Sequence, residues 1–549
     1  MTESLKEVGT PSKIRASSSS APLPSLTVLV LCIVNLNESC AGNIIWPFIP
    51  FLVSRYALRE DIGFYTGILA ASFFLGQAIF VSSWGRLADK YGRRPIVLLG
   101  LIGSALTMIA FGFARTYGEA LLTRFVCGAV NGNIAINKVY MGETSTAANQ
   151  ARGFAYLGLT WGLGLILAPS LGGFTADAAT QYPGSTLDTP LTRSFPYALP
   201  SLVAAALGFC GFLLALCALP ETPAWQRRQV GGSSSQADAA ATLGPAVTPV
   251  PTARVKDDVE REVTSDEELD GLLAISDDEE GDGDITNAAL SRSSAPIRSA
   301  ARATESLRVE PEGERSFSTM MSVLDDPELG RVLTVYGAIS FFQILFDELL
   351  PIFCATSVAD QGLGWKARDV GAVQIGHGIV QIFTQLWVVP FLQRRYGLRP
   401  CFQWALVPII PMMLTFPALS VLANDRLSVT AAVVAFLSLR AVTFSIAFTS
   451  LGLLLNNVAP PRSLGAVTGA AQAVASCVRA LGPAVGGTIF SLGQTTDALG
   501  SWRLTPPYVL MALLTVITLL LSSGLPKDCD DGPRELEETA QTGAAAVGV

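Results

Sequence analysis

Twelve stretches of mostly apolar residues, each about twenty residues or more in length, recur along this 549-residue chain, and no soluble single-core fold absorbs such a pattern. A helix needs roughly 20 residues to cross the hydrocarbon core of a bilayer. Inside lipid every backbone N–H and C=O must be satisfied within the segment, so runs of this length are read as helices. The windows lie at about 26–53, 62–83, 95–114, 118–141, 153–174, 197–219, 331–355, 369–392, 401–422, 428–455, 465–490 and 505–525. The first run begins too late and is too long for a cleaved signal peptide, and reads as the first membrane helix. Only 15% of residues are charged, against about 25% in an ordinary soluble domain. That balance excludes a cationic nucleic-acid binder, a secreted disulfide scaffold and a coiled coil.

The net charge of −8 comes from 37 Lys+Arg and 45 Asp+Glu, and it is unevenly placed. Residues 223–330 hold 10 basic and 22 acidic residues, and 526–549 hold 2 and 6, so the remainder is net positive at +8. The acidic segment is rich in Ser, Ala and Gly without a sustained helical period, a composition expected to stay disordered. The chain therefore divides into a disordered tail over 1–24, a six-helix bundle over 25–222, a disordered acidic linker over 223–330, a second six-helix bundle over 331–525 and a tail over 526–549. An even number of spans puts both termini on one side. Loops on that side carry 12 Lys/Arg, concentrated at Arg86, Lys90, Arg93, Arg94 and at Arg394, Arg395, Arg399, against 8 on the other. The positive-inside rule then places the termini and the linker in the cytoplasm. Eight of the nine cysteines lie in apolar runs, there is no CxxC and one His, so no metal site of Cys/His type is expected.

The two halves repeat each other. Tyr91-Gly92-Arg93-Arg94-Pro95 after the second span returns as Tyr396-Gly397-Leu398-Arg399-Pro400 after the eighth. Pro169-x-x-Gly172-Gly173 in the fifth span returns as Pro483-x-x-Gly486-Gly487 in the eleventh, and Arg124 in the fourth as Arg440 in the tenth. Duplicated six-helix halves are a transporter plan with the substrate site between them near the midplane. Gly85-x-x-x-Asp89-Lys90-x-Gly92-Arg93-Arg94 resembles the loop 2–3 motif of the major facilitator superfamily. Arg124-x-x-x-Gly128-x-x-x-Gly132 resembles its fourth-helix motif, and Gly164-x-x-x-Ala168-Pro169-x-x-Gly172-Gly173 the fifth-helix motif of its proton antiporters, with Ala168 where that pattern has Gly. The second copy reads Gly482-Pro483-x-x-Gly486-Gly487. Phe346-Asp347-Glu348 in the seventh span and Asn131-Gly132-Asn133 at the fourth make the chain similar to the twelve-span drug:proton antiporter group, especially its zinc-induced facilitator-like branch. The Cys- and His-rich loop motifs of plant members of that branch are absent. The resemblance covers both bundles and implies an all-α membrane protein of twelve transmembrane helices in two pseudo-symmetric six-helix bundles.

Ionisable residues within membrane spans are costly and therefore functional candidates. Glu38, Asp347 and Glu348 are candidates for proton coupling, because a carboxyl group among apolar side chains can bind and release protons near neutral pH. Neighbours on a helix point about 100° apart, so one of Asp347 and Glu348 is expected to face a cavity. Arg124 cannot deprotonate, is expected to face a cavity or a carboxylate, and in the resembled family is associated with proton transfer. Gly85, Asp89, Lys90, Gly92, Arg93 and Arg94 are expected to act as a conformational latch, with Gly85 allowing close helix approach and Glu143 with Arg152 forming a second latch. Gln77, Asn131, Trp161, Gln343, His377 and Arg479 are candidates to line the cavity, with Phe74, Gln374, Gln381 and Trp387 beside them. Arg479 could meet an anionic substrate group. Ser265 and Ser276 precede acidic runs and are candidates for phosphorylation.

The reading is a monomeric secondary transporter exporting a small organic or amphiphilic molecule against inward-moving protons by alternating access, in the plasma membrane. No GxxxxGK[ST] loop occurs, so an ATP-driven pump is disfavoured, and no enzyme site or cofactor is expected. The alternatives are a vacuolar-membrane transporter of metal-chelating organic acids or metal chelates, and a non-transporting sensor that signals through the linker.

Overall fold

The computed structural model describes residues 24–57, 61–145, 149–222, 327–458, 464–496, 500 and 502–525. Both tails and residues 223–326, with Ser265 and Ser276, lie outside the described residues. All regular structure among the described residues is helical. The first half holds α1 (Ser25–Asn43), α2 (Ile49–Val53), α3 (Ile62–Tyr91), α4 (Arg93–Gly112), α5 (Tyr117–Val130), α6 (Asn133–Thr144), α7 (Gln150–Thr175), α8 (Ala178–Gln181), α9 (Pro190–Ser194) and α10 (Ala198–Ala218). The second half holds α11 (Pro327–Ala355), α12 (Ala367–Phe383), α13 (Val389–Tyr396), α14 (Leu398–Leu406), α15 (Ile409–Thr415), α16 (Arg426–Val458), α17 (Leu464–Thr495) and α18 (Pro506–Ser522). Residues 327–330, expected in the linker, form the first turn of α11.

Ten helical stretches among the described residues are long and apolar enough to cross a membrane. Four expected windows depart from one long uninterrupted helix, the ninth because α14 ends at Leu406 and α15 begins at Ile409. The first divides into α1 and α2 at residues 44–48, where Pro47 disfavours helical backbone at Trp46. The fourth breaks between α5 and α6: Asn131 leaves the helical region at φ −83°, ψ 69°. Its side chain bonds elsewhere, and short polar side chains compete with the helical ladder in this way. The Trp84 indole N–H donates to the Ala129 carbonyl at 2.6 Å, satisfying a group near the break. The twelfth is a 17-residue helix, α18. In the eighth span a π-turn at Thr384–Val388 precedes Pro390, whose missing N–H removes a ladder bond.

Within the first half α1 packs on α7 and α10, α3 on α5, and α4 on α10. Asn35 Nδ2 donates to the Leu157 carbonyl at 2.7 Å, and Ser39 Oγ to the Trp161 carbonyl at 3.0 Å, tying α1 to α7. The second half is cored by aromatic packing of Phe346, Phe353, Phe416, Phe436 and Tyr508. The halves meet through two related helix pairs, α3 on α17 and α7 on α12. Both contacts are tightest at one face of the molecule. A Cβ on Gly63, in the first turn of α3, would stand 2.8 Å from the Gly487 carbonyl oxygen near the end of α17. A Cβ on Gly371, at the start of α12, would stand 3.0 Å from Gly173 Cα near the end of α7. Ser491 Oγ of α17 also accepts from the Phe64 N–H at 2.9 Å, capping α3 from the other half. The small residues at these crossings let backbones touch.

Candidate functional site

On the side of the glycine seam away from loops 1–2 and 7–8, the halves enclose a cavity of about 460 Å³. Its wall is mostly apolar, including Phe74, Trp161, Ile344, Phe444 and Phe448, with Gln77, Asn131, Gln343, Gln381 and Gln385 as polar points. Glu38, Asp347 and Arg479 are the charged residues among its lining. Residues of the first turns of α7 and the last turns of α12 border it, so it lies toward the face that carries loops 2–3 and 8–9. This is a concave, mainly apolar site with few polar groups, the usual form of a small-molecule site.

Glu38 is buried, at 1% exposure, beside the break in the fourth span. Asn133 Nδ2 donates to its Oε1 at 2.7 Å, and Asn131 Nδ2 donates to its Oε2. The unwound Asn131-Gly132 step is what turns both amides toward one carboxyl group. Gly132 is required there, because a Cβ would stand 2.7 Å from Trp84 Cβ. The network continues outward: Gln77 Nε2 donates to Asn131 Oδ1 at 3.1 Å, and Ser476 Oγ of the second half donates to Gln77 Oε1 at 3.4 Å. A polar chain thus runs from Glu38 across the interface to α17.

Asp347 and Glu348 point to different places. Asp347 borders the cavity and accepts from Arg440 Nη2 at 2.7 Å, while the Arg440 guanidinium lies over the Phe346 and Phe444 rings. Glu348 is fully buried in the seam. Both of its oxygens lack a hydrogen-bond partner, and a Cβ on Gly67 of α3 would stand 2.9 Å from Oε1. An enclosed carboxyl group without donors is costly to bury.

Several expectations change. Arg124 faces neither the cavity nor a carboxylate. It is buried over the Phe73 and Phe111 rings, with Nε and Nη1 unbonded, so cation–π contact takes the place of an ion pair. His377, Gln374 and Trp387 are not among the cavity residues, and Trp387 is 59% exposed on the outside of the bundle. Glu143 pairs with Arg93 at 3.0 Å rather than with Arg152, which is exposed and in no ion pair among the described residues. Arg93 also pairs with Asp89 at 2.7 Å, so among the described residues the loop 2–3 charges are joined within the first half and not across to the second. A Cβ on Gly85 would meet nothing within 4 Å, because the halves part on this face. Lys90 is exposed. Gly92, with φ 101°, makes the turn between α3 and α4.

The fifth- and eleventh-span motifs serve packing. Gly164 abuts Ser39 and Gly172 abuts Ile44, both within the first half, and Ala168 and Pro169 are buried beside them. Gly173 meets Gly371 across the interface. Gly482 and Gly486 abut Ile344 and Leu345 of α11, while Pro483 and Gly487 meet α3. Three polar positions lie outside the sequence candidates. Glu221 accepts the backbone N–H groups of Arg93 and Arg94 at 2.8 and 3.1 Å, capping α4 from the end of the sixth span. Asn133 is the second donor to Glu38. Lys138 is an ionisable residue inside the fourth window, which is signal enough to nominate it. Outside the spans, Asp188 is pushed down to about 2 by hydrogen bonds from Arg193, at 2.6 and 2.8 Å, and from the Gly184 N–H.

The family model described as Major Facilitator Superfamily matches residues 31–483. The chain is 29% identical over 503 residues to the major facilitator superfamily multidrug transporter mfsB of Aspergillus fumigatus, covering 86% of this chain and 79% of that protein. It is 26% identical over 474 residues to the protein ZINC INDUCED FACILITATOR 1 of Arabidopsis thaliana, covering 86% and 85%. Among solved structures, a bacterial homologue of the human lysosomal transporter Spinster, inward-facing and occupied, superposes with a TM-score of 0.60 at 12% identity, over 94% of this chain and 100% of that one.

Proposed function

Because the chain belongs to the Major Facilitator Superfamily, we propose that it is a proton-coupled efflux antiporter for a small organic or amphiphilic molecule, working by alternating access. The observation that carries this reading is a central cavity bordered by Glu38 and Asp347, shut by a glycine-tight seam on one face and parted on the other. One such arrangement is half of an alternating-access cycle. The parted face carries the excess of Lys and Arg, which favours a cytoplasmic orientation for it and for the termini. Protons act at the carboxyl groups. Protonating Asp347 frees Arg440, and protonating Glu38 removes the charge its two amide partners stabilise, so each event biases the packing between helices. Glu348 is enclosed while the seam is shut and meets water when the seam opens. The Asp89–Arg93–Glu143 cluster latches the parted face in the opposite state. The similarity to the multidrug transporter supports a small organic or amphiphilic substrate. The similarity to the zinc-induced facilitator supports a second reading, transport of metal-chelating organic acids at a vacuolar membrane.

The test is ethidium efflux from proteoliposomes under an imposed pH gradient. Glu38→Gln, Asp347→Asn and Glu348→Gln are expected to lose gradient-driven movement. Full coupling in all three would sink the carboxylate mechanism. Sensitivity of a deletion strain to metal but not to ethidium would favour the second reading.

A further inference from the structure

The hydrogen-bonded chain that starts at Glu38 crosses from one half to the other through buried side chains. Gly76 lets the α3 backbone touch α5, where a Cβ would stand 2.8 Å from the Ala129 nitrogen, and this sets the next residue, Gln77, beside Asn131. Gln77 and Asn131 are buried yet border the central cavity, whereas Ser476 of α17 is fully enclosed. The chain has a direction. An ionised carboxylate only accepts, so Glu38 takes an N–H from Asn131. Asn131 then offers its carbonyl to Gln77 Nε2 at 3.1 Å, and Gln77 offers its own to the Ser476 hydroxyl at 3.4 Å. That last bond is long and joins the two halves, so its strength depends on polarisation from the carboxylate end. The titratable and charged groups around Glu38 are Cys127 and Arg124 of α5, the latter resting on Phe73 and Phe111, and, on the same cavity wall, Asp347 of α11, bonded to Arg440, and Arg479 of α17. Among the described residues no ionisable side chain of α4, α6, α7 or α10, the helices packed on α1, is bonded to Glu38.

Protonating Glu38 ends that order. The carboxylic acid has an O–H to donate and no charge with which to polarise Asn131, so the chain loses its charge-assisted end. A molecule seated in the cavity lies against Gln77 and Asn131 and competes for the same amides. Either event weakens the Gln77–Ser476 bond. That bond spans the crossing of α3 and α17, whose far end is the shut seam, so opening the seam turns the two helices against each other and breaks it. We propose that Gln77 and Ser476 form a lock that keeps the empty, ionised transporter from changing state, and that proton and substrate each release it. Both act as positioning residues, through Asn131, on the group that carries the proton. An antiporter needs such a lock. A carrier that has given its proton to water on one side and returns empty would pass the next proton without export, and the gradient would dissipate. The lock belongs to the proton-coupled cycle proposed above and rests on it.

The test measures proton entry into proteoliposomes of the full-length protein with trapped pyranine, under an imposed pH gradient, with and without ethidium on the opposite side. Wild-type protein is expected to pass protons when ethidium is present and to stay close to protein-free vesicles when it is absent. Ser476→Ala removes one hydrogen bond and is expected to raise the ethidium-free leak about fivefold. Ser476→Thr keeps the hydroxyl and is expected to restore tightness. Adding Glu38→Gln to Ser476→Ala is expected to silence the leak, because the proton then has no carrier, an outcome that a leak from damaged packing would not give. Ethidium-linked proton movement in wild type together with a tight Ser476→Ala would overturn the lock and leave the transporter reading standing. A leak that persists in Glu38→Gln/Ser476→Ala, or that Ser476→Thr shares, would also overturn it. Wild-type protein that moves ethidium without any proton movement would count against the proton-coupled reading and the lock together.

Discussion

A single methyl group at Gly63 should open the shut face of the molecule. A Cβ there meets the Gly487 carbonyl oxygen at 2.8 Å, Ser491 Oγ at 2.9 Å and Phe490 Cδ1 at 3.2 Å, while ordinary contact begins at 3.4 Å. The carbonyl belongs to the backbone of the facing helix and cannot rotate away, so α3 and α17 must separate by roughly 0.6 Å. Ser491 cannot yield freely either, because it accepts the Phe64 N–H at 2.9 Å. Overpacking of about 1–3 kcal/mol plus a lost hydrogen bond of about 1 kcal/mol sets about 2–4 kcal/mol against the shut state, or roughly 30- to 1000-fold in the conformational equilibrium. The assay is a distance distribution between spin labels at positions 54 and 496, exposed residues on opposite sides of this seam, in a background without native cysteines. Gly63→Ala is expected to move the population to longer distances and to slow transport. Gly469→Ala, on the same α17 but with nothing within 4 Å, is the control and should leave the distances unchanged. Its helix-propensity gain also calibrates that part of the effect, which is common to both conformations. An unaltered distribution in Gly63→Ala would refute the argument that backbone contact at this crossing holds the face shut.

Arg440→Gln is expected to lower thermal stability by about 1–3 kcal/mol, less than for a fully enclosed pair because Asp347 remains 28% exposed. Adding Asp347→Asn should recover part of that loss, and strict additivity of the two in thermal unfolding would contradict a direct pair. Trp84→Phe removes the indole donor to the Ala129 carbonyl and should cost about 1 kcal/mol. A melting temperature equal to wild type would show that the break in the fourth span needs no capping. For Asp188, the folded carboxyl group lies below its unfolded value, so its contribution is fully present above about pH 4 and is lost as pH falls toward 2. The difference in melting temperature between wild type and Asp188→Asn should therefore shrink across that acidic window and be constant from pH 5 to 8.

Much of the architecture was legible one segment at a time. The long apolar windows, the repeated Tyr-Gly-x-Arg-Pro turns and the paired Pro-x-x-Gly-Gly motifs located the spans and the two halves without any contact information. Boundaries blurred where a local device overrode composition: Pro47 divided the first window, and Asn131-Gly132 broke the fourth. The site was legible only as a set of residue types. Glu38, Asp347, Glu348 and Arg479 stood out because charge inside a span is costly, and that same reasoning nominates Lys138. It could not say that Arg124 would rest on two phenyl rings while its counterpart Arg440 holds a carboxylate, since both look alike in sequence.

Amino-acid order is enough to make this chain a duplicated bundle of membrane helices with a few charges inside it. Those properties follow from transfer free energy and periodicity, which act within some twenty residues. Tertiary structure alone decided which charge meets which. Glu38 finds its amide partners 93 and 95 residues away, Asp347 finds Arg440 at a separation of 93, and Ser476 reaches Gln77 across 399. Such pairings depend on helix rotation and on how closely two backbones approach, and here glycines at a few crossings set both. They left one face shut and a cavity on the other, lined by Glu38, Asp347 and Arg479.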